Sequence, residues 1–247
     1  VKEEGILAGV DIARKVFHKF DPSLKMTEYI SDGAHVRPGD IVFVVEGPVR
    51  SLLQTERIML NIMQRMSGVA TMTDRYQQRL TGLKTKVLDT RKTTPGMRLL
   101  EKEAVRIGGG SNHRIGLFDM ILIKDNHVDF AGGIPQAVAA AKKWCADNGK
   151  NLQIELEVRN TEEIDLALAA GVDRIMLDNF TPARTMEAVT HIRAYKAPDA
   201  QLQADSHVHN GTDVEIESSG GITLDTLRDY GECGVDFISV GALTHSV

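Results

Sequence analysis

Five side chains that can carry a positive charge lie near the ends of two predicted strands. The first strand covers residues 84–89 and the second covers residues 120–123. Because the whole chain has a formal net charge of -5, this basic cluster is local, which favours a small anionic ligand over nucleic acid. The five residues are Arg91, Lys92, His113, Arg114 and Lys124.

Carboxylates end two later predicted strands and could face those cations. Glu157 lies near the end of the predicted strand 152–158, and Asp178 follows the predicted strand 173–177. Glu155 shares a strand face with Glu157, but only Glu157 is expected to reach the strand end. The carboxylates predict either a charge-balanced structural network or a site for Mg2+ and sugar hydroxyls. Since Mg2+ takes one or two carboxylates together with substrate phosphate oxygens, the second alternative predicts a phosphorylated substrate.

Two glycine-containing segments are candidate phosphate sites. Ser219 and Gly220 precede a predicted helix start near Thr223, where backbone N–H groups can bind a phosphate. Gly241 follows the last predicted strand, and His245 lies one helical turn further on. In barrel proteins the loops after the late strands often bind phosphate, so the pattern predicts phosphate binding by both segments.

The same residues also fit two other kinds of protein. Lys124, after an apolar strand, could form a Schiff base in a lyase or aldolase, with its pKa lowered by neighbouring cations. Four or five cations exceed what one imine needs and match a multiply charged anion better. A non-enzymatic barrel that binds phosphate is a further alternative. His113 could be a structural histidine, although its position beside Arg114 favours substrate contact.

Some polar residues elsewhere are not predicted, from the pattern alone, to belong to a functional site. Arg57, on a predicted helix, is interpreted from the pattern alone as a solvent-exposed charge. His207 and His209 lie in a polar segment that lacks the further ligands a metal site needs. Residues 204–213 form a longer and more polar link than expected before the strand that carries Glu217, so the register of that strand stays open.

The elements that would position these residues change character along the chain. The first part has helical periodicity at residues 4–20 and 51–79, with a break in the second helix at Gly68. Short strands are predicted at residues 26–30 and 40–46, on either side of a turn. The methionines of the long helix are interpreted as core side chains. This part predicts a small α+β domain.

Beyond residue 84 strands alternate with helices, which requires parallel pairing and right-handed crossovers. Each predicted strand ends near a polar residue or glycine, as expected when the carboxyl ends of all strands meet at one barrel mouth. In an open sheet only the strands at the switch point need such residues. We therefore predict a small domain over residues 1–67 and a barrel over residues 68–247. Helix starts are predicted at Thr94, Asn160, Thr181 and Thr223.

Composition limits the class of protein. Hydrophobic residues make up 42% and charged residues 26% of the chain, as in ordinary soluble globular proteins. No apolar run approaches the roughly 18 residues of a membrane helix, so a membrane protein is not expected. Cys145 and Cys233 are far apart, which favours reduced thiols in a cytoplasmic protein. Residues 1–4 lead straight into a helical pattern, and no secretory leader is expected.

Six motifs together carry a resemblance to one enzyme family. They are E-R-I-M-L-N-I-M-Q-R-M-S-G-V-A-T, D-T-R-K-T-T-P-G-M-R, G-G-G-S-N-H-R-I-G-L-F-D, I-L-I-K-D-N-H, I-M-L-D-N-F and F-I-S-V-G-A-L. In this order they resemble quinolinate phosphoribosyltransferase, the carboxylating nicotinate-nucleotide pyrophosphorylase family of NAD biosynthesis. The resemblance implies an N-terminal α/β open-faced sandwich and an incomplete (β/α) barrel, with the active site at the carboxyl ends of the barrel strands. It also implies a homodimer or hexamer, Mg2+ as cofactor, and quinolinate and phosphoribosyl pyrophosphate as substrates.

The resemblance also implies a role for each candidate residue. Arg57 resembles the family's arginine that reaches the neighbouring subunit's site, and this role replaces its interpretation as a solvent-exposed charge. The resemblance implies that the pocket for the quinolinate carboxylates is formed by Arg91, His113, Arg114 and Lys124, with Lys92 shared between both substrates. It implies that the ribose hydroxyls and Mg2+ are held by an acidic pair, Glu157 and Asp178. It implies that the ribose 5-phosphate is bound by Ser219, Gly220, Gly241 and His245. The implied catalytic residues are Lys92, Lys124, Glu157 and Asp178.

Overall fold

A computed structural model of the chain describes residues 1–197 and 210–246. It divides into two compact units, neither of which is continuous in sequence. The first contains Val1–Gln78, Asp89–Asn112 and Gly241–Val247, and the second contains Arg79–Leu88 and His113–Val240. His207 and His209 lie outside the described residues, as does most of the polar link that precedes the strand with Glu217.

Short antiparallel strand pairs and long helices build the first unit. Its elements are β1 (Gly5–Ile6), α1 (Val10–Phe20), β2 (Lys25–Glu28), β3 (His35–Val36), β4 (Phe43–Glu46), α2 (Val49–Arg79, whose last residue belongs to the second unit) and α3 (Arg98–Ile107). Strand β1 pairs with β3, and β2 pairs with β4. One face of α1 packs with α2 on an apolar core that includes Val10, Phe17, Met59 and Met63. The interpretation of the helix methionines as core side chains is confirmed.

The first helix begins later than the sequence pattern indicates. Residues 4–20 were expected to form one helix, but Gly5–Ile6 is a strand and α1 starts at Val10. Gly9 has a φ of 105°, a left-handed conformation that interrupts the helix and that glycine adopts without strain. The Asp32 carboxylate accepts the Val10 backbone N–H at 2.8 Å, so a distant side chain caps the helix.

The predicted break at Gly68 is wrong, because α2 continues through it as a single 31-residue helix. Helix α2 carries a buried stripe that includes Met66, Val69 and Ala70, and tertiary packing of that stripe outweighs the low helix propensity of one glycine. The predicted domain boundary between residues 67 and 68 therefore falls inside a continuous helix.

A six-stranded parallel sheet forms the centre of the second unit. Its strands are β5 (Lys86–Leu88), β6 (Ile121–Ile123), β7 (Ile154–Val158), β8 (Arg174–Asp178), β9 (Glu215–Ser219) and β10 (Phe237–Ser239). Their spatial order is β5-β10-β9-β8-β7-β6. In a closed barrel β5 and β6 would also pair, but they are the two ends of the ladder in the described residues. The predicted α/β class with an incomplete barrel is confirmed.

Helices follow the strands in the order that right-handed crossovers require. They are α4 (Asp125–Ala131), α5 (Ile134–Asp147), α6 (Thr161–Ala170), α7 (Pro182–Ala194) and α8 (Leu227–Glu232), and a short α9 (Ala242–His245) belongs to the first unit. Helices α5, α6 and α7 pack side by side. No described helix combines the length and the apolar character needed to cross a membrane.

Two of the predicted helix starts are confirmed, and two are wrong. The Asn160 side chain accepts the Glu163 N–H at 2.9 Å, and Thr181 caps α7 in the same way. Helix α8 begins after Thr223, at Leu227. Thr94 forms a turn instead of a cap: its hydroxyl oxygen accepts from the Arg65 guanidinium at 3.2 Å, and α3 starts only at Arg98.

Candidate functional site

Strand register places a lysine opposite a carboxylate at the carboxyl ends of β6 and β7. Ile123 pairs with Leu156, so the next residues along each strand, Lys124 and Glu157, face each other. The Lys124 ammonium forms an ion pair with the Glu157 carboxylate. The lysine side chain is 44% exposed and the glutamate side chain only 10%. This pair therefore lies partly open to solvent, where an anionic ligand could compete for the lysine.

The next two strands end in a second polar group. Asp178 is paired with Ser219 across β8 and β9, and the Asn179 N–H donates to the Ser219 carbonyl at 2.9 Å. Gly220 has a φ of 105°, and a Cβ there would lie 2.2 Å from the Asn179 Oδ1 atom. Only glycine fits this close approach. Asp178, Ser219 and the Gly220 turn thus lie together at the carboxyl edge of the sheet.

The carboxylates of Glu157 and Asp178 could hold Mg2+ indirectly, through water and substrate oxygens. Both lie on one face of the sheet, since Glu157 pairs with Met176 and Asp178 lies two residues beyond Met176. Two residues along a strand span about 7 Å, so the backbone of Asp178 lies about that far along the strand direction from the backbone of Glu157. Oxygen donors of this kind suit Mg2+, with substrate oxygens and water completing its coordination.

A buried polar cluster lies deeper on the same sheet face. His113, which precedes β6, has its Nε2 atom 2.8 Å from the Glu155 carboxylate and 3.6 Å from the Glu217 carboxylate. The Arg174 guanidinium approaches Glu217 at 3.6 Å and forms a closer ion pair with Glu215. Glu155 and Glu217 are fully buried, so Glu217 is closed to solvent although it lies level with Glu157 in the sheet. Its register, left open by the sequence, places it opposite Met176.

Burial shifts the titration of both carboxyl groups in this cluster. It raises the pKa of Glu155 to about 7, although the Arg174 guanidinium opposes the rise. It raises the pKa of Glu217 to about 8, and the neighbouring Glu155 carboxylate adds to that rise. Because the two groups interact, the pair retains about one proton near neutral pH.

The raised pKa values predict a pH-dependent stability. An unfolded glutamate titrates near 4.5, so the folded protein keeps these protons to higher pH, and their stabilisation is lost as pH rises from about 4.5 towards 8. We expect Glu217→Gln to flatten the fall in unfolding free energy between about pH 5 and about pH 8.5 by on the order of 2 kcal/mol. Urea denaturation at several pH values would measure this fall. Glu187→Gln, at an exposed glutamate, is the control, and equal slopes for both variants would contradict the prediction.

Three predicted phosphate-site residues meet in the first unit. A Cβ at Gly241 would lie 3.0 Å from the His245 Nε2 atom and 3.3 Å from the Lys92 Cδ atom. Lys92 and His245 are exposed. The lack of a side chain at Gly241 therefore leaves room between a cation and an imidazole, a suitable place for a phosphate oxygen.

A chain of hydrogen bonds holds Lys92 and α9 in this arrangement. The Arg65 guanidinium pairs with the buried Glu101 carboxylate at 2.7 Å and also donates to the Thr244 carbonyl. The Thr244 hydroxyl in turn donates to the Lys92 carbonyl at 3.0 Å. Thr244 is fully buried, so this bond is shielded from water.

The remaining candidate residues occupy different surroundings. Arg57 on α2 and Arg91 after β5 are exposed. Arg114 is half-buried, and its guanidinium donates to the Met120 carbonyl at 3.4 Å. His113 is separated from the strand-end groups by burial, since it is only 8% exposed. The structure thus groups Lys124 with Glu157, Asp178 with Ser219 and Gly220, and Lys92 with Gly241 and His245.

Sequence reasoning missed the supporting residues. Arg65, Glu101 and Thr244 carry no motif by themselves, and their contacts join residues far apart in the chain. Arg174 had a weak signal, because an arginine inside an apolar strand has to find a buried partner. Glu155 was placed on the correct face, but its partner His113 depends on the fold.

Family models of quinolinate phosphoribosyl transferase match both parts of the chain. The model of the N-terminal domain matches residues 1–67, and the model of the C-terminal domain matches residues 69–247. Together they cover nearly the whole sequence.

Similar proteins occur in plants and bacteria. The chain is 43% identical to the chloroplastic nicotinate-nucleotide pyrophosphorylase [carboxylating] of Oryza sativa, with 100% of this chain and 65% of the relative covered. It is 41% identical to the probable nicotinate-nucleotide pyrophosphorylase [carboxylating] of Bacillus subtilis, with 100% and 78% covered. The chain therefore spans about two thirds of the length of the plant relative.

Solved structures share the fold. The nicotinate-nucleotide pyrophosphorylase of Francisella tularensis has a TM-score of 0.85 and 43% identity, with 98% of this chain and 79% of that chain covered. NadC of Streptococcus pyogenes has a TM-score of 0.84 and 40% identity, with 99% and 79% covered.

Proposed function

This chain belongs to the quinolinate phosphoribosyltransferase family, and we propose that it transfers the phosphoribosyl group of phosphoribosyl pyrophosphate to quinolinate with decarboxylation. The products are nicotinate mononucleotide, pyrophosphate and CO2, a step of NAD biosynthesis. The observation that carries this proposal is the row of strand-end groups on one sheet face, Lys124 against Glu157 with Asp178 and Ser219 beside them. Such a row presents a cation and carboxylates to one ligand.

The two carboxylates of quinolinate require cations. We assign Arg91, Lys92, Arg114 and Lys124 to them. Lys124 is held in advance by Glu157, so it is positioned without a ligand and still has exposed surface to offer.

The ribose of phosphoribosyl pyrophosphate is assigned to Glu157 and Asp178. Carboxylates accept hydrogen bonds from its hydroxyls and favour the electron-poor ribose that forms as pyrophosphate leaves. Mg2+, when bound near them, would offset the charge of the leaving group. The ribose 5-phosphate is assigned to two N–H-rich or cationic segments, Ser219 with Gly220 and Gly241 with His245.

The chemistry then follows from positioning. The ring nitrogen of quinolinate attacks the anomeric carbon, and the bond to pyrophosphate breaks. The pyridine nitrogen becomes cationic and stabilises the carbanion left when the adjacent carboxylate departs as CO2, after which that carbon takes up a proton. The protein mainly holds two polyanions that would otherwise repel one another. Such positioning can lower the activation free energy by several kcal/mol.

One assay distinguishes this function from its alternatives. The protein is incubated with quinolinate, phosphoribosyl pyrophosphate and Mg2+, and pyrophosphate and CO2 are measured; equal amounts of both are expected. A Schiff-base lyase would instead be trapped on Lys124 by borohydride, and a phosphate-binding barrel would release no pyrophosphate. Nicotinate, which lacks the carboxylate adjacent to the ring nitrogen, serves as the comparison substrate.

The hydroxyl of Thr244 provides a test of the Lys92 support. Thr244→Val keeps the shape but leaves the Lys92 carbonyl without its donor, whereas Thr244→Ser keeps the hydroxyl. We expect Thr244→Val to raise the KM for phosphoribosyl pyrophosphate about tenfold and Thr244→Ser to change it less than about threefold. Steady-state kinetics with varied phosphoribosyl pyrophosphate measures this. Equal effects of both substitutions would show that the hydroxyl bond does not position Lys92.

We further assign the chain to a homodimer or hexamer in which Arg57 reaches the neighbouring subunit's site. The exposure of Arg57 on α2 is compatible with that role. If the assignment holds, inactive Arg57→Ala and Lys92→Ala proteins should regain activity after mixing and refolding, because a mixed dimer has one site with both native residues. Refolding each variant alone is the control, and no recovery in the mixture would contradict the assignment.

We also place the protein in the cytoplasm. Cys145 and Cys233 are both buried and unbridged, which suits a reducing compartment.

A further inference from the structure

Two buried charged side chains form an ion pair directly after β5. Asp89 is the first residue beyond that strand, and its carboxylate pairs with the Lys102 ammonium of α3 at 2.5 Å. Asp89 is 0% exposed and Lys102 is 2% exposed. Removing a charge from water is unfavourable, so such a pair persists in a protein only where its geometry is closely fixed. Neither residue is among the site residues proposed above.

A third side chain bonds this ion pair. With its amide nitrogen turned towards the acceptors, Asn112 donates to the Asp89 Oδ2 atom at 2.8 Å and to the Lys102 backbone carbonyl at 2.9 Å. The Asp89 backbone N–H also donates to the Ser111 carbonyl at 3.2 Å. Asp89 is therefore fixed from two directions, by α3 and by the segment that follows the glycine run. We call Asp89, Lys102 and Asn112 the Asp89 cluster.

The glycine run at residues 108–110 allows that segment to reach Asp89. A Cβ at Gly108 would lie 2.3 Å from the Ala70 carbonyl oxygen, and a Cβ at Gly110 would lie 2.7 Å from the Thr73 Cγ2 atom. Ala70 and Thr73 both belong to α2, so only glycine allows the chain to cross that helix so closely. Packing on α2 therefore accounts for the glycine run without a bound phosphate.

Asp89 begins the segment that carries two of the proposed ligand-binding cations. Arg91 and Lys92 follow it closely in the chain, and both are exposed. The Lys92 N–H donates to the Thr90 hydroxyl at 3.1 Å, a turn that fixes Lys92 relative to the residue next to Asp89. The Lys92 carbonyl accepts a hydrogen bond from the Thr244 hydroxyl. Because this segment is short and turned, a displacement of Asp89 would move Lys92 as well.

We propose that Asp89, Lys102 and Asn112 are positioning residues that act through Lys92: together they fix the start of the segment that carries Lys92, and they do not contact substrate. Lys102 is then a structural counter-ion and not a further cation of the substrate pocket. This inference rests on the proposed function for the role of Lys92, but the bonding of the Asp89 cluster can be measured without any ligand.

Thermal unfolding of charge-neutral variants tests the ion pair. Lys102→Met leaves the Asp89 carboxylate buried without its ammonium and should lower the Tm by about 10 °C. Adding Asp89→Asn removes the remaining charge, so the double variant should recover at least about half of that loss. If Lys102→Met does not fold at all, a double variant that folds supports the pair equally. A double variant no more stable than Lys102→Met would overturn the proposal.

Binding of phosphoribosyl pyrophosphate with Mg2+, in the absence of quinolinate, tests the role. Asn112→Ala keeps both buried charges and should raise the Kd about tenfold, the scale of a hydrogen bond to a charged group. In a Lys92→Ala background the same substitution should change the Kd less than about twofold, although the Tm falls equally in both backgrounds. A tenfold change in both backgrounds, or no change in the otherwise unsubstituted protein, would show that the Asp89 cluster does not act through Lys92. Asn112→Ser replaces the alanine variant should that variant not fold.

Two variants that remove similar bonds at the surface are the matched controls. Lys143→Met removes an exposed lysine that pairs with the Asp147 carboxylate at 3.0 Å. Asn148→Ala removes an exposed amide that donates to the Trp144 carbonyl at 2.8 Å. Both should leave the Kd unchanged and the Tm within about 2 °C. If the unsubstituted protein neither binds phosphoribosyl pyrophosphate nor releases pyrophosphate, the proposed function fails and the positioning role fails with it, whereas the unfolding experiment still decides whether the ion pair forms.

Discussion

Lys92→Ala is expected to lower kcat/KM by at least about 1000-fold, or about 4 kcal/mol, while the protein keeps its fold. Lys92 is exposed beside Gly241 and His245, and among the described residues its ammonium has no structural ion pair to lose. The loss should therefore appear in substrate handling and not in stability. Steady-state kinetics of pyrophosphate release and thermal unfolding would measure the two effects separately.

Two further variants make the Lys92 result specific. Lys150→Ala removes an exposed lysine far along the chain from the site residues and should leave kcat/KM unchanged. Lys92→Arg keeps the charge but changes the shape of the donor group, so partial activity is expected. A Lys92→Ala protein with near-normal turnover would contradict the role assigned to this lysine.

Arg114→Ala is expected to abolish turnover of quinolinate to a similar extent, roughly 1000-fold in kcat/KM. A guanidinium can bind a carboxylate with two parallel hydrogen bonds, and alanine supplies neither the charge nor the donors. The main change should be a higher KM for quinolinate, with the affinity for phosphoribosyl pyrophosphate much less affected. Varying each substrate in turn would separate these effects.

The fold of the Arg114→Ala protein needs its own check, because the guanidinium also donates to the Met120 carbonyl. That bond is long, at 3.4 Å, and its loss should lower the unfolding free energy by no more than about 1 kcal/mol. Arg75→Ala, at an exposed arginine of α2, is the control. A folded Arg114→Ala protein that retains its quinolinate KM would contradict the assignment.

The predictions for Lys92 and Arg114 depend on different structural supports. Lys92 depends on the hydrogen bonds from Arg65 through Thr244 in the first unit. Arg114 depends on the bond from its N–H to the His113 Nδ1 atom in the second. In the first unit the buried Glu101 carboxylate holds the Arg65 guanidinium, which also donates to the Thr244 carbonyl. Because Glu101 is fully buried, its bond to Arg65 is shielded from water.

Local patterns were sufficient for most of the secondary structure. Alternation of apolar strands and capped helices beyond residue 84 predicted the parallel sheet, because each strand and helix buries its own apolar face. The errors occurred where distant residues decide a local outcome. Asp32 and Gly9 start α1 later than its periodicity indicates, and packing carries α2 through Gly68. The Arg65 guanidinium donates to the Thr94 hydroxyl oxygen, the atom that a helix cap would use.

By itself the sequence determined the parallel α/β architecture and which residue types end its strands, since period and chain order set which face and which edge a side chain occupies. Only the tertiary structure decided which of those side chains touch. Register placed Lys124 opposite Glu157, whereas packing buried Glu217 although its register sets it level with Glu157, opposite Met176. A shift of one residue would have separated Lys124 from Glu157, and nothing local selects the register of strands that are joined by long crossovers.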